Sequence, residues 1–372
     1  MLSQEPGRIA VTGATGFIGS HLAQYFASQG HAVVSLSRRP PGRSLDARIA
    51  YVAWDLSRPV PERALRECQA LVHCAHARYS PHNRSADELN VEGSSRLFQA
   101  ARENGVGQIV YLSSLSAQPH VRSRYAKSKL AVEGLLDRER DTILRLGLVL
   151  GPGGFAKRIQ RALVRTRVVP LLDGGRQPVW TIHIEDLCAI VVALLQSRGT
   201  GILQIGNPQQ LSVAQVNRSL ARALRRKVHF FPLPFQILYP LVKLAEQLGM
   251  DLPVTTENLL GLRGARQLSL QSDMEKIGCE VRSFEELLEN GAIEEWFPHP
   301  VPRDLRWMAL LRPTEPEMLD YARRETDWRE ADRFQPLHGG PLIGLAVLLG
   351  VGLMGLAVAP VRGALRLFKG EA

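Results

Sequence analysis

The chain contains 372 residues, of which 45% are apolar and 22% are charged. These ordinary globular values exclude a disordered, collagen-like or multi-span membrane protein as a description of the whole chain. The length predicts two to three structural units. The formal charge of +10 comes from 39 Arg and 7 Lys against 36 acidic residues. Because the arginines are scattered, with no basic stripe containing interleaved aromatics, we expect no nucleic-acid partner.

The four cysteines, Cys68, Cys74, Cys188 and Cys279, form no CxxC pair and have no spacing suited to zinc. We therefore expect reduced thiols and no metal site. The first residues, MLSQEPGR, contain no apolar segment typical of a secretory signal. The sequence thus predicts that the folded body of the protein faces the cytoplasm.

The first half of the chain alternates short β-branched or aliphatic runs with amphipathic stretches, which predicts βαβ units. The predicted strands are Arg8–Thr12, Ala32–Ser37, Ile49–Val52, Ala70–His73, Gln108–Ser113 and Thr142–Leu146. The helical periodicity between them is clearest over Gly16–Gln29 and Asp87–Asn104. The pattern predicts a Rossmann-type α/β fold over residues 1–150, a doubly wound parallel sheet with helices on both faces.

Beyond Gly151 the alternation becomes irregular and turns rich in glycine and proline occur. This change predicts a smaller substrate-binding region over residues 151–300, partly interleaved with the sheet. Residues 301–338 carry seven basic and eight acidic side chains, which favours solvated helices or a linker.

Residues 339–361 form a run of 23 residues without a charge. As a helix this run would extend roughly 35 Å, enough for the hydrocarbon core of a bilayer. We predict that residues 339–372 are an apolar membrane anchor. The alternative is a buried helix or an interfacial hairpin, because the run includes Gly344, Gly350, Gly352, Gly355 and Pro360.

A glycine motif, TGATGFIG at 12–19, follows the first predicted strand directly and opens the first helix. Glycines at 13, 16 and 19 permit a tight turn, close approach of a pyrophosphate and packing of helix on strand. The amide groups of a helix N-terminus then face the anion. This strand, turn and helix context predicts that residues 1–150 form a dinucleotide-binding domain.

The second predicted strand ends at Ser37-Arg38-Arg39, without the carboxylate that would hold the ribose 2′-hydroxyl of NAD. Arginine there favours a 2′-phosphate, so we expect NADP rather than NAD. Asp55, after the third strand, is either an adenine contact or an ordinary helix cap.

Tyr125 and Lys129, in YAKSK, lie one helical turn apart on the same face. An ammonium at that distance lowers the pKa of the phenol, which makes the tyrosine a competent acid/base near neutral pH. A run of serines, Ser113, Ser114 and Ser116, ends the preceding strand, where a hydroxyl could hydrogen-bond a reacting oxygen.

At this point residues 8–290 resemble the extended short-chain dehydrogenase/reductase superfamily, in its NAD-dependent epimerase/dehydratase group with 3β-hydroxysteroid dehydrogenase-like members. The matching pieces, in order, are TGATGFIG at 12–19, WDL at 54–56, LVHCAHA at 71–77, LNVEGSSRLFQAA at 89–101, YLSS at 111–114, YAKSK at 125–129, RLGLVLGPGG at 145–154 and HIEDL at 183–187.

The resemblance implies that Tyr125 is the catalytic acid/base, that Lys129 lowers its pKa and binds the ribose, and that Ser114 polarises the substrate oxygen. Ser113 and Ser116 stay open as alternatives for the serine. It also implies a homodimer. The predicted cofactor contacts are Gly13, Thr15, Gly16, Phe17, Ile18, Gly19, Arg38, Asp55, Leu56, Ala75, Tyr125 and Lys129.

The leading hypothesis from these residues is an NAD(P)-dependent oxidoreductase acting on a secondary alcohol or ketone. Its small-molecule substrate is a nucleotide sugar, with Arg158, Arg161 and Arg165 near the diphosphate, or a sterol- or isoprenoid-like lipid. The alternatives are a nucleotide-sugar epimerase or dehydratase with retained NAD, and a non-catalytic membrane-attached nucleotide-binding subunit.

Overall fold

The computed structural model describes residues 7–40, 46–77, 85–165, 168–248, 252 and 254–291. The strands in these ranges are β1 (Arg8–Thr12), β2 (Ala32–Ser37), β3 (Ile49–Ala53), β4 (Cys68–His73), β5 (Gln108–Ser114), β6 (Thr142–Leu146), β7 (Leu148–Leu150), β8 (Val168–Leu172), β9 (Pro178–Val179), β10 (Thr181–His183), β11 (Gly201–Ile205), β12 (Leu211–Ser212) and β13 (His229–Leu233). The helices are α1 (Phe17–Ser28), α2 (Glu62–Leu65), α3 (Ala86–Glu103), α4 (Arg124–Glu133), α5 (Gly154–Arg165), α6 (Ile184–Ser197), α7 (Val213–Ala223), α8 (Phe235–Gln247), α9 (Thr256–Arg263), α10 (Gln271–Ile277) and α11 (Phe284–Glu289).

The central sheet of the described chain has seven strands in the order β11-β6-β5-β4-β1-β2-β3. Every neighbouring pair in it is parallel. The chain winds outwards from β1 to β3 and then crosses to β4, so the strand order reverses between β1 and β4. In open α/β sheets the crevice at the carboxyl ends of such a pair is where ligands bind.

Helices cover both faces of this sheet, which is why its strands are buried on both sides. On one face, fully buried Leu22 of α1 and Leu187 of α6 pack in one cluster. On the other face, Leu97 of α3 and Val132 of α4 pack against Tyr111 of β5. The predicted Rossmann-type α/β fold is confirmed.

The six predicted strands match β1 to β6 with ends displaced by at most two residues. The seventh strand, β11, was not predicted, because its five residues lie in the half of the chain where the alternation is irregular. It pairs with β6 at the edge of the sheet. The division at residue 150 stays a prediction.

The rest of the described chain contains three small strand pairs, β7 with β10, β9 with β12 and β8 with β13. α8 and α9 share a cluster in which Leu238, Val242 and Leu259 are buried. Farther along, the Asp273 carboxylate of α10 accepts from the Gln204 amide of β11 at 3.0 Å. α10 therefore lies at the edge of the sheet formed by β11.

The predictions for residues 301–338 and 339–372, including the apolar run 339–361, lie outside the described residues. Among the residues that are described, no helix combines the length and apolar character needed to cross a membrane.

Candidate active site

The turn between β1 and α1 has the backbone geometry that its glycines predict. Gly13 has φ +64°, and its carbonyl accepts from the Gly16 amide at 2.8 Å. A Cβ at Gly19 would lie 2.4 Å from the Gly13 carbonyl oxygen, so the helix can lie against the turn only without a side chain there. α1 begins at Phe17 with no side-chain cap and no acidic residue in its first turn. Its first amide groups are therefore available to a bound anion.

This turn packs against the loop that follows β4. A Cβ at Gly13 would lie 3.0 Å from the backbone of Ala75. Thr12 Oγ1 accepts from the amides of Cys74 and Ala75, each at 3.1 Å. Asn90 of α3 holds the same loop farther along by accepting from the Ala77 amide at 2.7 Å. The two loops thus enclose the switch point at the ends of β1 and β4.

Beneath the switch point, His73 is a buried neutral link between β4 and α3. Burial lowers its pKa to about 3. Its Nδ1 lies 2.7 Å from Thr12 Oγ1 and its Nε2 lies 2.9 Å from Ser94 Oγ. Because Thr12 Oγ1 already accepts two amides, its proton is directed to Nδ1, which assigns the ring proton to Nε2. His73 therefore braces the sheet.

The remaining side chains of the glycine motif have different environments. Thr15 is exposed and Ile18 is partly buried against the core. The Phe17 ring is enclosed by the 151–154 turn, where an added Cβ at Gly153 would lie 2.5 Å from it. Phe17 and the GPGG turn, 134 to 137 residues apart along the sequence, thus meet in the fold.

At the far side of the crevice, Arg38 is exposed directly after β2. The hydrogen bond from the Ser57 hydroxyl, helped by Arg58 and Arg38, lowers the pKa of Asp55. Leu56 is buried, and its carbonyl accepts from Arg96 at 2.7 Å. Arg38 therefore acts on Asp55 only through its charge, whereas the side chain of Leu56 packs in the core.

Lys129 lies under the carboxyl end of β5. Its Nζ donates to the Leu112 carbonyl at 2.6 Å and lies 4.7 Å from the centre of the Tyr111 ring. Its side chain is buried, with a relative exposure of 4%, and burial lowers its pKa to about 8. The distance from Nζ to the centre of the Tyr125 ring is 6.0 Å. The predicted one-turn spacing therefore brings the ammonium within electrostatic range of Tyr125.

Tyr125 is 38% exposed, which leaves part of the side chain accessible from solvent. Its ring makes an edge contact with His76, with ring centres 5.0 Å apart and planes at 82°. The carboxylate of Glu257 accepts a hydrogen bond from the Tyr125 backbone amide at 3.0 Å. The sequence did not predict this contact, because Glu257 lies 132 residues away and belongs to no motif.

The serines at the end of β5 are in different environments. The buried hydroxyl of Ser113 donates to Glu133 at 2.5 Å, and the same carboxylate binds Arg145. Ser114 is partly buried, and its hydroxyl lies 2.9 Å from that of Ser116. The Ser113 hydroxyl thus belongs to a hydrogen-bond network with Glu133 and Arg145, while the hydroxyls of Ser114 and Ser116 pair with each other.

Of the arginines predicted near a diphosphate, Arg158 donates to the Leu252 carbonyl at 2.9 Å. The side chains of Arg161 and Arg165 lie outside the described part of the structure. No group of three metal-ligating side chains suited to an ion occurs within the described ranges.

Residues 9–206 match the family model described as NAD dependent epimerase/dehydratase family. The chain is 28% identical over 243 residues to ceramide reductase of Caulobacter vibrioides, covering 63% of this chain and 76% of that protein. It is 34% identical over 222 residues to an uncharacterised protein of Mycobacterium tuberculosis, covering 58% of this chain and 24% of that protein. The chain thus spans about a quarter of the mycobacterial protein.

Among solved structures, MoeE5 in complex with UDP-glucose and NAD is similar to this chain, with a TM-score of 0.59 and 22% identity. The alignment covers 78% of this chain and 98% of that one. At this identity the likeness shows the fold.

Proposed function

This chain belongs to the NAD dependent epimerase/dehydratase family, and on that premise we propose that it transfers hydride between a nicotinamide cofactor and a secondary alcohol or ketone. The observation that carries the proposal is the placement of Lys129, buried beneath the end of β5 and 6.0 Å from the Tyr125 ring. A buried cation beside a partly exposed phenol favours proton transfer at that phenol.

The residues around the switch point fit a dinucleotide. The Gly13 turn lies so close to Ala75 that a Cβ would reach 3.0 Å from its backbone, and the N-terminus of α1 has no side-chain cap. We assign Gly13, Gly16 and Gly19 to the pyrophosphate turn, with Thr15, Phe17, Ile18 and Ala75 around it. When bound, the cofactor supplies the hydride acceptor or donor.

NADP is the cofactor that we favour. Arg38 follows β2 at the position next to the ribose in this fold, and its guanidinium can form paired hydrogen bonds with a 2′-phosphate. Asp55 and Leu56 are assigned to the adenine side. Arg38→Ala should weaken binding of NADPH by about tenfold, the loss of one charge-assisted contact, and leave NADH binding unchanged. Equal losses for both would contradict this assignment.

In the oxidation direction, the phenolate of Tyr125 accepts the proton of the substrate hydroxyl. Hydride passes from the carbon that bears this hydroxyl to the nicotinamide, and a carbonyl forms. Lys129 stabilises the phenolate of Tyr125 and binds the ribose. Ser114 donates a hydrogen bond to the reacting oxygen. Ser116, paired with Ser114 at 2.9 Å, orients that hydroxyl.

Tyr125→Phe tests the proposed reaction. This change should abolish turnover because the proton acceptor is lost, while NADPH titration should show nearly unchanged binding because the ring is kept. The substrates to assay are nucleotide sugars and ceramide-like or sterol-like lipids. Retained turnover in the variant would refute the role of Tyr125.

The substrate classes that we propose are a nucleotide sugar and a sterol-, isoprenoid- or ceramide-like lipid. The bound UDP-glucose of MoeE5 supports the first, and the name of the Caulobacter relative supports a lipid. A nucleotide-sugar epimerase or dehydratase that retains NAD is the second candidate, supported by the NAD in the MoeE5 complex. Near-stoichiometric NAD released on denaturation would favour it, and weakly held NADP would favour the exchanging oxidoreductase.

We also propose that the uncharged run 339–361 associates with membranes. Removal of residues 339–372 should transfer the protein from the membrane fraction to the supernatant. An unchanged distribution would refute the anchor.

A further inference from the structure

The N-terminal turn of α4, which carries Tyr125, contains no acidic residue of its own. The first amides of a helix have no acceptor within the helix. Ser123 Oγ accepts from the Ala126 amide at 3.1 Å. The Tyr125 amide donates instead to Glu257 Oε2 at 3.0 Å, and the Arg124 amide donates to the same carboxylate. A side chain from elsewhere therefore completes the cap of this helix.

Glu257 is the second residue of α9, and it lies 132 residues after Tyr125 in the chain. α9 has its own capping box, formed by Thr255 and Asn258. The carboxylate of Glu257 thus serves α4 in addition to lying at its own helix N-terminus. Hydrogen bonds from amides to a carboxylate are charge-assisted and directional, so they restrict the turn more than water would.

α9 is itself firmly placed. The Thr256 hydroxyl donates to Glu246 of α8 at 2.7 Å, and the Thr256 amide donates to the same carboxylate at 2.9 Å. Leu259 is buried between α8 and the β8 and β13 strands. The carbonyl of Gly264, at the other end of α9, lies 2.9 Å from His120 Nε2. α9 therefore contacts the segment between Ser114 and Tyr125 at two points.

The charged side chains around Glu257 come from α3 and α4, which pack on the same face of the sheet. Arg124 of α4 forms an ion pair with Asp87 of α3. Half-burial raises the pKa of Glu257 most, Asp87 raises it further, and the amide hydrogen bonds and Arg124 lower it. Glu257 therefore joins a small charged cluster at the start of the helix that carries Tyr125.

From these contacts we propose that Glu257 is a positioning residue, which holds the first turn of α4 and so sets the direction of Tyr125 relative to Lys129 and Ser114. It also couples that direction to the α8–α9 unit. The inference rests on the proposed function in that it takes Tyr125 as the acid/base.

A test that needs no substrate is fluorine NMR of the full chain labelled with 3-fluorotyrosine. The chain has seven tyrosines, and Tyr125→Phe assigns the signal of Tyr125. Glu257→Ala should shift that signal by more than its line width, because the amides of the first turn lose their acceptor. Glu257→Gln keeps a carbonyl acceptor and should restore most of the wild-type position.

Glu285→Ala is the matched control. Glu285 is also the second residue of a helix with a capping box, but it is exposed on α11. Glu285→Ala should leave the Tyr125 signal in place. In a turnover assay, Glu257→Ala should lower kcat about tenfold or more with the amount of NADPH bound per chain unchanged.

An unmoved Tyr125 signal in Glu257→Ala, no restoration by Glu257→Gln, or an equal shift in Glu285→Ala would overturn the proposal. So would a fall in bound NADPH in step with kcat, which indicates unfolding. If wild-type protein binds neither NADPH nor NADH, the proposed function fails, whereas the Tyr125 signal still decides whether Glu257 positions the helix.

Discussion

At the scale of single residues, Ser113 and Ser114 differ because side chains alternate along a strand. Ser113 lies on the face that carries Tyr111, where its hydroxyl reaches the Glu133 and Arg145 pair. Ser114 lies on the opposite face and pairs with Ser116. A one-residue step along β5 therefore separates a structural hydroxyl from the proposed catalytic one.

Replacing each serine with alanine should separate stability from turnover. Ser113→Ala should lower the free energy of unfolding by about 1–3 kcal/mol, because a buried carboxylate loses a donor. Ser114→Ala should change stability by less than about 0.5 kcal/mol and lower turnover about 10²-fold. Denaturant unfolding and steady-state kinetics measure the two effects, and the reverse pattern would exchange the roles of the two serines.

Burial of the Lys129 ammonium lowers the stability of the folded protein. Its pKa of about 8 in the folded protein lies below the ordinary value of 10.5. The unfolded chain therefore binds more protons than the folded chain between these two pH values, and the stability contributed by Lys129 rises with pH across that window. Below the folded pKa, the buried charge is a constant penalty.

Lys129→Met should therefore stabilise the protein relative to wild type most at neutral pH, and this advantage should shrink as the pH rises from about 8 to about 10.5. The buried thiols Cys68, Cys74 and Cys188 have raised pKa values, which gives the opposite slope, but their contributions largely cancel in the difference between the two proteins. Urea unfolding at several pH values measures this difference. A difference independent of pH would contradict the lowered pKa.

At the scale of elements, the contact between α1 and the β1 turn depends on backbone approach rather than on side-chain packing. Gly19 lies so close to Gly13 that a Cβ would reach 2.4 Å from the carbonyl oxygen. Such a clash with backbone cannot be relieved by a rotamer change, so α1 would have to move. The amides proposed to bind the pyrophosphate would move with it.

Gly19→Ala should therefore lower the free energy of unfolding by about 1–3 kcal/mol and weaken NADPH binding. Gly261→Ala is the control within a helix, because an added Cβ there meets no atom within 4 Å other than those of its chain neighbours and its own helix backbone. It should raise the free energy of unfolding by about 0.5–1 kcal/mol through the better helix propensity of alanine. Thermal unfolding and NADPH titration check both variants, and equal effects would show that the close approach does not matter.

At the scale of the whole molecule, Arg282 ties the last part of the described chain to the central sheet. Its Nε donates to Asp186 at 2.9 Å, and its Nη2 donates to Glu185 at 3.0 Å and to His183 Nδ1 at 2.7 Å. Asn207 donates to the Val281 carbonyl at 2.9 Å beside it. The segment around Arg282 therefore closes over the first turn of α6, which packs directly on the sheet.

Arg282→Ala should lower the free energy of unfolding by about 2 kcal/mol, because Asp186 is nearly buried and loses its cation. This expected loss in the free energy of unfolding is smaller than for a fully buried ion pair, because Arg282 is partly exposed. Arg218→Ala, at an exposed position of α7, should change it by less than about 0.5 kcal/mol. Urea unfolding compares the two, and similar losses would show that the Arg282 contacts do not stabilise the chain.

Local sequence determined much of the first half of this protein. Strands β1 to β6 are short aliphatic runs, and α1 and α3 between them have a 3.6-residue periodicity. The Gly13 turn and the spacing of Tyr125 and Lys129 are local patterns as well. Such features depend on residues within a few positions of each other, so they can be predicted from the chain alone.

Only the tertiary structure decided the contacts between distant segments. It added β11 to the sheet, separated Ser113 from Ser114, enclosed Phe17 with the 151–154 turn, and placed His76 and Glu257 beside Tyr125. The physical reason is that these contacts follow from how helices and loops pack across the sheet. No periodicity or motif within a single segment records which distant side chain will meet it.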